Sequence, residues 1–315
     1  MGNESKVTEF IFVGFPSLHH LELLMAIALL ASYLLTLAGN LMIIALILSD
    51  CSLHSPMYFF LWNLSCLEIL ITSFVLPKVI ASFLIGNKTI SYSACIAQCY
   101  FYFFLGCSDF ALLAIMSYDR YVAICNPLHY SMVMNSKLCL QLVIGSWAAG
   151  FLATIVPTIL VIKLPFCRVN HIDHFFCDSV ALIKLSCADT SFVELVSFLS
   201  SIIILLGSFV MAVVSYIYIV ITILRLPSAS RRQKAFSTCS AHLTIVTLGY
   251  GSCIFMYVRP STSDPSINKL VALINTVVTP LMSPFVFTLR NQQVKDALRA
   301  ALKNSMVFSR KRFHF

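Results

Sequence analysis

The chain carries long, nearly unbroken apolar runs separated by short polar spacers. Leu23–Leu48 is the clearest run, with Asn40 as its main polar interruption. Six further runs follow: Met57–Ser82, Ala94–Ile124, Leu138–Ile162, Val193–Leu224, Ala235–Val258 and Ile267–Leu289. Each is long enough for a helix to cross a hydrocarbon core, which takes about 20 residues. Membrane barrels alternate apolar and polar positions over short strands instead. The pattern therefore predicts an all-α membrane protein, a bundle of seven transmembrane helices over residues 23–289. A tail of residues 1–22 precedes it, and residues 290–315 form a second tail with a short amphipathic eighth helix.

Turn residues mark the spacers: Ser55-Pro56, Asn126-Pro127, Leu226-Pro227-Ser228 and Asp264-Pro265-Ser266. Only residues 163–192 make a long connection, and they are the richest in Cys and His. Composition agrees: 59% of residues are hydrophobic and 11% charged, against about 25% charged in soluble domains. This excludes a disordered chain, an ordinary soluble enzyme and a nucleic-acid module.

Basic residues set the orientation. Of the 21 Lys and Arg, the larger share falls on the C-terminal side, in the third inner loop and the tail. The C-terminus is therefore expected in the cytoplasm and the N-terminus outside. The net charge of +8 belongs mainly to that inner face. Asn3-Glu4-Ser5 is a glycosylation acceptor in the outer tail, and Asn87-Lys88-Thr89 is another close to the membrane.

Among the 12 cysteines, four on the outer side stand apart: Cys95, Cys167, Cys177 and Cys187. An oxidising face favours disulfides, and four cysteines allow three pairings. Cys99, one turn below Cys95, competes. His171, His174, Cys177 and Asp178 have metal-like spacing, but a disulfide would remove the thiolate a metal needs.

Intramembrane ionisable groups are costly and mark function. Glu68 and Asp109 lie mid-helix and are expected to face each other, sharing a proton or a small cation such as sodium. Asp109 and Arg120 are about three turns apart on one stripe of the third helix, with Tyr102 and Gly106 near its outer end. No catalytic motif such as HExxH, GxSxG or a P-loop occurs. A receptor and an ion-coupled transporter or channel using Glu68 and Asp109 are the two functional classes this leaves.

The segment Met116-Ser117-Tyr118-Asp119-Arg120-Tyr121-Val122-Ala123-Ile124-Cys125 resembles the signature of olfactory receptors, a family of G-protein-coupled receptors. Gly39-Asn40, Pro56–Leu61, Pro127-Leu128-His129-Tyr130, Ser215-Tyr216, Lys234–Leu243 and Pro280–Phe285 agree with it in order. The resemblance implies disulfides Cys95–Cys177 and Cys167–Cys187. It implies a coupling face of Asp119, Arg120, Tyr121, Tyr216, Arg231, Arg232, Lys234 and His242, released when the sixth helix swings outward. It also implies a small, mostly apolar volatile as ligand and a heterotrimeric G protein, of the stimulatory olfactory type that raises cAMP, as partner.

The expected pocket takes Tyr102, Phe103, Gly106 and Cys107 from the third helix and Ser200 and Ile204 from the fifth. Tyr250, Cys253 and Tyr257 come from the sixth and Thr276 from the seventh. Tyr102 stands where amine receptors carry an Asp, which argues against an amine ligand. Two departures stand out. The lengths of the Glu68 and Asp109 side chains are exchanged relative to many relatives. Ser283 and Phe287 replace the usual Asn and Tyr of the seventh helix, so Phe287 cannot bridge to Tyr216 through a hydroxyl.

Overall fold

The computed structural model describes residues 7–166, 170–258 and 265–312. Seven long helical segments form the bundle. The first five are Glu22–Ser49, Pro56–Ile85, Tyr92–Cys125, Ser136–Ile162 and Ser191–Leu224, and the sixth is Ala229–Val258. The seventh comprises Pro265–Leu273, a π-helical stretch Ile274–Val278 and Thr279–Arg290. An eighth helix, Gln292–Arg312, follows.

Local chemistry sets the helix ends. Pro56 occupies the first turn of the second helix, where its missing N–H costs nothing. Gly86 ends that helix in the left-handed region at φ 75°, a conformation glycine adopts without steric cost. The Ser91 hydroxyl accepts from the Ala94 N–H at the third helix, and the Asn135 side chain accepts from the Leu138 N–H at the fourth. The sixth helix starts at Ala229, six residues before the apolar run at 235. Its apolar stretch is confined to Cys239–Phe255, so the added turns are polar and basic.

The distribution of polarity is that of a membrane protein. Large side chains such as Leu23, Leu34, Leu152, Ile203 and Leu224 are exposed. Thr36, Asn40, Glu68, Ser108, Asp119, Arg120, His242 and Thr276 are buried. Water would favour the reverse, whereas lipid makes the apolar exterior cost nothing. Six helices among the described residues are long and apolar enough to span a bilayer, with the sixth helix supplying the shorter apolar stretch.

One end of the bundle carries a feature absent from the helical reading. Strand β1 (Glu9–Phe12) pairs antiparallel with β2 (Thr89–Ser91) and parallel with β3 (His171–Ile172). Phe10 faces Ile90 in register, and Phe12 faces Ile172. Phe10, Phe12, Ile90 and Ile172 are buried together with Cys95 and Cys177. Residues 7–12, expected as plain tail, are thus part of a folded lid.

Candidate functional site: a polar column from lid to arginine

Four layers of polar chemistry run down the bundle interior. The first lies beneath the lid. Cys95 and Cys177 are joined by a disulfide, which resolves the open pairing for that couple, and Cys99 is a free, buried thiol. Gln98 anchors the same loop: its Oε1 accepts from the Cys177 N–H at 3.0 Å while its Nε2 donates to the Phe74 carbonyl. Cys167 lies outside the described residues, as does Asn3, so the Cys167–Cys187 pairing and the tail glycosylation site are not described.

Lys269 is one residue that sequence reasoning missed. It is buried, and its Nζ donates to the Gly14 carbonyl at 2.8 Å and to Asp173 at 2.6 Å. One amine therefore ties the seventh helix to the N-terminal segment and the long loop. Asp173 remains largely exposed, which lowers the energetic value of the pair. The signal available in the sequence was only a basic residue one turn inside an apolar run.

The second layer is a cavity with about 50 Å³ of room, enough for a few waters. Phe103 and Cys107 line it as expected positions, joined by Ile96 and Cys99. The fourth helix adds Thr154, Pro157 and Thr158, the fifth adds Ser197 and Ser201, and the loop adds Ser179. Ser197 Oγ is buried without a hydrogen-bond partner among the described residues.

The expected wall from the sixth and seventh helices lies elsewhere. Tyr250 is fully buried, donates to the Phe110 carbonyl and packs its ring on Phe110 and Phe209. Thr276 is buried and bonds back to the Ala272 carbonyl. Cys253 accepts from Asn275 Nδ2 at 3.7 Å. Tyr102 meets Phe103 edge-on and lies tilted against the loop residue Phe176. Gly106 has open space where a side chain would begin. Ser200 and Ile204 are half-buried on the fifth helix, and the Tyr257 side chain lies outside the described residues. The fourth helix was missed because its Thr and Pro positions look like ordinary helix-packing residues.

The third layer holds the two carboxyls. Glu68 is buried and lies within electrostatic reach of Asp109, with Asn40 and Ser283 beside it. Glu68 Oε2, Asp109 Oδ1 and Asn40 Oδ1 are buried without a hydrogen-bond partner among the described residues. Asn40 Nδ2 donates to the Thr36 and Pro280 carbonyls, which leaves its oxygen facing the gap. No cluster of three or more His, Cys, Asp or Glu able to hold a metal ion occurs among the described residues.

The fourth layer lies at the opposite end. Arg120 donates through Nε and Nη2 to Asp119 Oδ2, the Nε bond being 2.9 Å. Tyr130 donates to Asp119 Oδ1 at 2.7 Å. Burial pushes the Tyr130 phenol above its usual range, and the Asp119 carboxylate adds to the effect. Tyr216 shares a 2.7 Å hydrogen bond with His242 Nδ1, and the two rings stack. Tyr121 rests against Tyr118 and Tyr218. Phe287 is fully buried. Tyr58 Oη lies 2.6 Å from Gln293 Oε1 and 3.1 Å from Asn291 Oδ1 at the start of the eighth helix, with one proton for the two acceptors. Arg232 is exposed; the side chains of Arg231 and Lys234 lie outside the described residues.

A seven-helix membrane bundle with a disulfide-pinned lid and a buried Asp-Arg pair at its far end has the architecture of a signalling receptor rather than an enzyme. The chain belongs to the olfactory receptor family, which it matches over residues 29–305. It is 51% identical over 301 residues to human (Homo sapiens) olfactory receptor 6J1, covering 95% of this chain and 87% of that one. It is 48% identical over 303 residues to human olfactory receptor 6X1, covering 96% and 97%. It is 49% identical over 311 residues to mouse (Mus musculus) olfactory receptor 6E1, covering 98% and 99%. The chain is therefore an odorant receptor and a multi-pass plasma membrane protein, and the transporter or channel alternative gains no support from these relatives.

Proposed function

We propose that the chain binds a small, neutral, mostly apolar volatile under the lid and activates a heterotrimeric G protein, of the stimulatory type that raises cAMP. The observation that carries this reading is the set of buried polar groups inside the bundle, from the cavity through Glu68 and Asp109 to the Asp119–Arg120 pair. In this orientation the lid faces outward and the C-terminal tail faces the cytoplasm, with Asn3 as a glycan site.

The ligand chemistry follows from the cavity wall. It is lined by Phe103, Ile96, two thiols and several hydroxyls, with no Asp, Glu, Lys or Arg. A charged ligand would lose its hydration without a counter-ion. A ligand with an apolar body and one alcohol, carbonyl or ester head suits it, the head pairing with Ser197. Because the cavity has room for only a few waters, binding must widen it, and that widening is what differs between the two states. Tyr102, Gly106, Ser200, Ile204, Tyr250, Cys253, Tyr257 and Thr276 complete the pocket as it opens toward the other helices. Cys167–Cys187 braces the loop above it.

At the far end, Asp119 holds Arg120 until activation frees it for the G protein. Tyr121, Tyr216 and His242 shape that face, and Arg231, Arg232 and Lys234 give it the positive charge. Glu68, Asp109 and Asn40 offer unpartnered oxygens, a donor set suited to a hard cation such as sodium. Held there, the ion would neutralise the paired carboxyls and favour the resting state.

The test is odorant-evoked cAMP in cells expressing the chain. Arg120→Ala should abolish the response with surface expression intact. Ser197→Ala should weaken the potency of oxygenated ligands roughly three- to tenfold, the worth of one hydrogen bond, and leave hydrocarbon ligands unchanged. An odorant-driven substrate flux with no G-protein requirement would sink the reading.

A further inference from the structure

The π-helical stretch Ile274–Val278 interrupts the seventh helix in the middle of the bundle. Such a turn inserts an extra residue and recurs at functional sites. Asn275 lies within it and reaches the sixth helix, where its Oδ1 accepts from Ser252 Oγ at 2.6 Å. Its Nδ2 donates to Cys253 Sγ at 3.7 Å. Both groups of the amide are thus spent on two successive residues of the neighbouring helix.

Ser252 has a second acceptor. Its Oγ also lies 2.8 Å from the Gly249 carbonyl of its own helix. A hydroxyl carries one hydrogen. The proton can be committed to Asn275, which ties the sixth helix to the seventh, or to Gly249, which ties it only to itself. Back-bonding of the second kind bends helices.

The bond sits where bending is easiest. Ser252 follows Gly249-Tyr250-Gly251, and glycine is about 1 kcal/mol less favourable than alanine inside a helix. An added Cβ at Gly251 would meet no neighbour within 4 Å, whereas one at Gly249 would touch Phe110 and Leu113 of the third helix, so Gly251 is the open position of the segment. Tyr250, two residues away, is the buried ring packed on the third and fifth helices.

We infer that Ser252 and Asn275 form a clamp that holds the sixth helix against the π turn of the seventh, and that rotation of the Ser252 hydroxyl toward the Gly249 carbonyl releases it. Asn275 is a positioning residue, and neither side chain is required to touch ligand. The restraint itself stands on the hydrogen bonds. Its link to signalling rests on the G-protein reading above.

The test uses the purified full-length receptor and cells expressing it. Hydrogen–deuterium exchange of backbone amides 249–255 should accelerate roughly three- to tenfold in Ser252→Ala and in Asn275→Leu, the factor expected from one hydrogen bond. The double variant should exchange no faster than Asn275→Leu, because that variant already loses the Ser252 bond together with the contact to Cys253 Sγ. Ser252→Thr keeps the hydroxyl and should exchange at the parent rate. Unchanged exchange in both single variants, or additive effects in the double, would overturn the clamp.

Agonist-free cAMP should rise by the same factor in Ser252→Ala and Asn275→Leu and stay at the parent level in Ser252→Thr. Faster exchange without that rise would overturn the clamp's part in signalling. A parent chain silent toward every odorant and G protein would strike the coupling reading alone, and the exchange rates would still decide the clamp.

Discussion

Single side chains set the behaviour of the lid. His174 is buried, its Nδ1 accepts from the Phe176 N–H, and it packs on Phe175 and Phe176. Burial holds its imidazole below the usual 6.5; Lys269 pushes the same way, while Asp178 and Asp173 oppose. The folded-state value is depressed, so the group costs nothing above pH 6.5, where it is neutral in both states. As pH falls below that, the unfolded loop takes up a proton that the folded loop refuses, and stability is lost progressively toward the folded value. Thermal unfolding of the purified receptor should therefore show a falling Tm between pH 7 and 5, flattened in His174→Phe. Lys269→Met removes the tie between Gly14, Asp173 and the seventh helix. With Asp173 exposed, the expected loss is about 1 kcal/mol, seen as a Tm drop of about 2–4 °C. Legibility at this scale followed chemistry. Glu68 and Asp109 stood out because charge is rare mid-membrane, and Arg120 because it shares a helix stripe with Asp109. Lys269 did not, because its partners come from residues 14 and 173, far away in the chain.

At the scale of the helices, close approach matters most. Gly150 on the fourth helix faces Ser108 and Phe104 of the third. A Cβ there would collide with Ser108 Oγ and come within 2.6 Å of the Phe104 carbonyl oxygen. Backbone cannot yield as a side-chain tip can, so Gly150→Ala must push the two helices apart, at a cost of about 1–3 kcal/mol. The same helices wall the cavity, so the variant should both lower Tm and shift odorant potency. Gly145→Ala, where nothing lies within 4 Å, should do neither. Spans and turns were legible because apolar periodicity and Ser55-Pro56 or Asp264-Pro265 are local signals. The glycine contact was not, since a helical Gly looks the same whether it meets lipid or another helix. The π turn was hidden for a related reason: nothing in the residues of Ile274–Val278 separates a widened turn from the α-helix on either side, and only the backbone hydrogen-bond pattern reveals it.

For the whole molecule, the lid shows how separate chain segments become one cap. Residues 9–12, 89–91 and 171–172 form one sheet, and the Cys95–Cys177 bond spans 82 residues. Closing a loop of that length removes much of the unfolded chain's freedom, about 4–5 kcal/mol on the chain-entropy account. The short strands escaped sequence reasoning because two or three residues carry no readable alternation, and their register depends on partners brought together by the bundle. Phe10 is the keystone: it is fully buried, edge-on to Phe166 and tilted against Tyr92. Truncating such a ring costs about 3–5 kcal/mol when the cavity cannot collapse. The loss falls on the lid rather than the transmembrane core, because Phe10 packs with Cys95, Cys177 and Ile172 and not with the residues around Arg120. Phe10→Ala should therefore speed exchange of the amides in residues 89–91 and 171–177 and raise odorant off-rates, while amides of the third helix near Arg120 keep their protection. Equal loosening at both ends of the bundle would show instead that lid and core unfold as one cooperative unit, with the sheet serving as a foundation of the bundle and not as its cover.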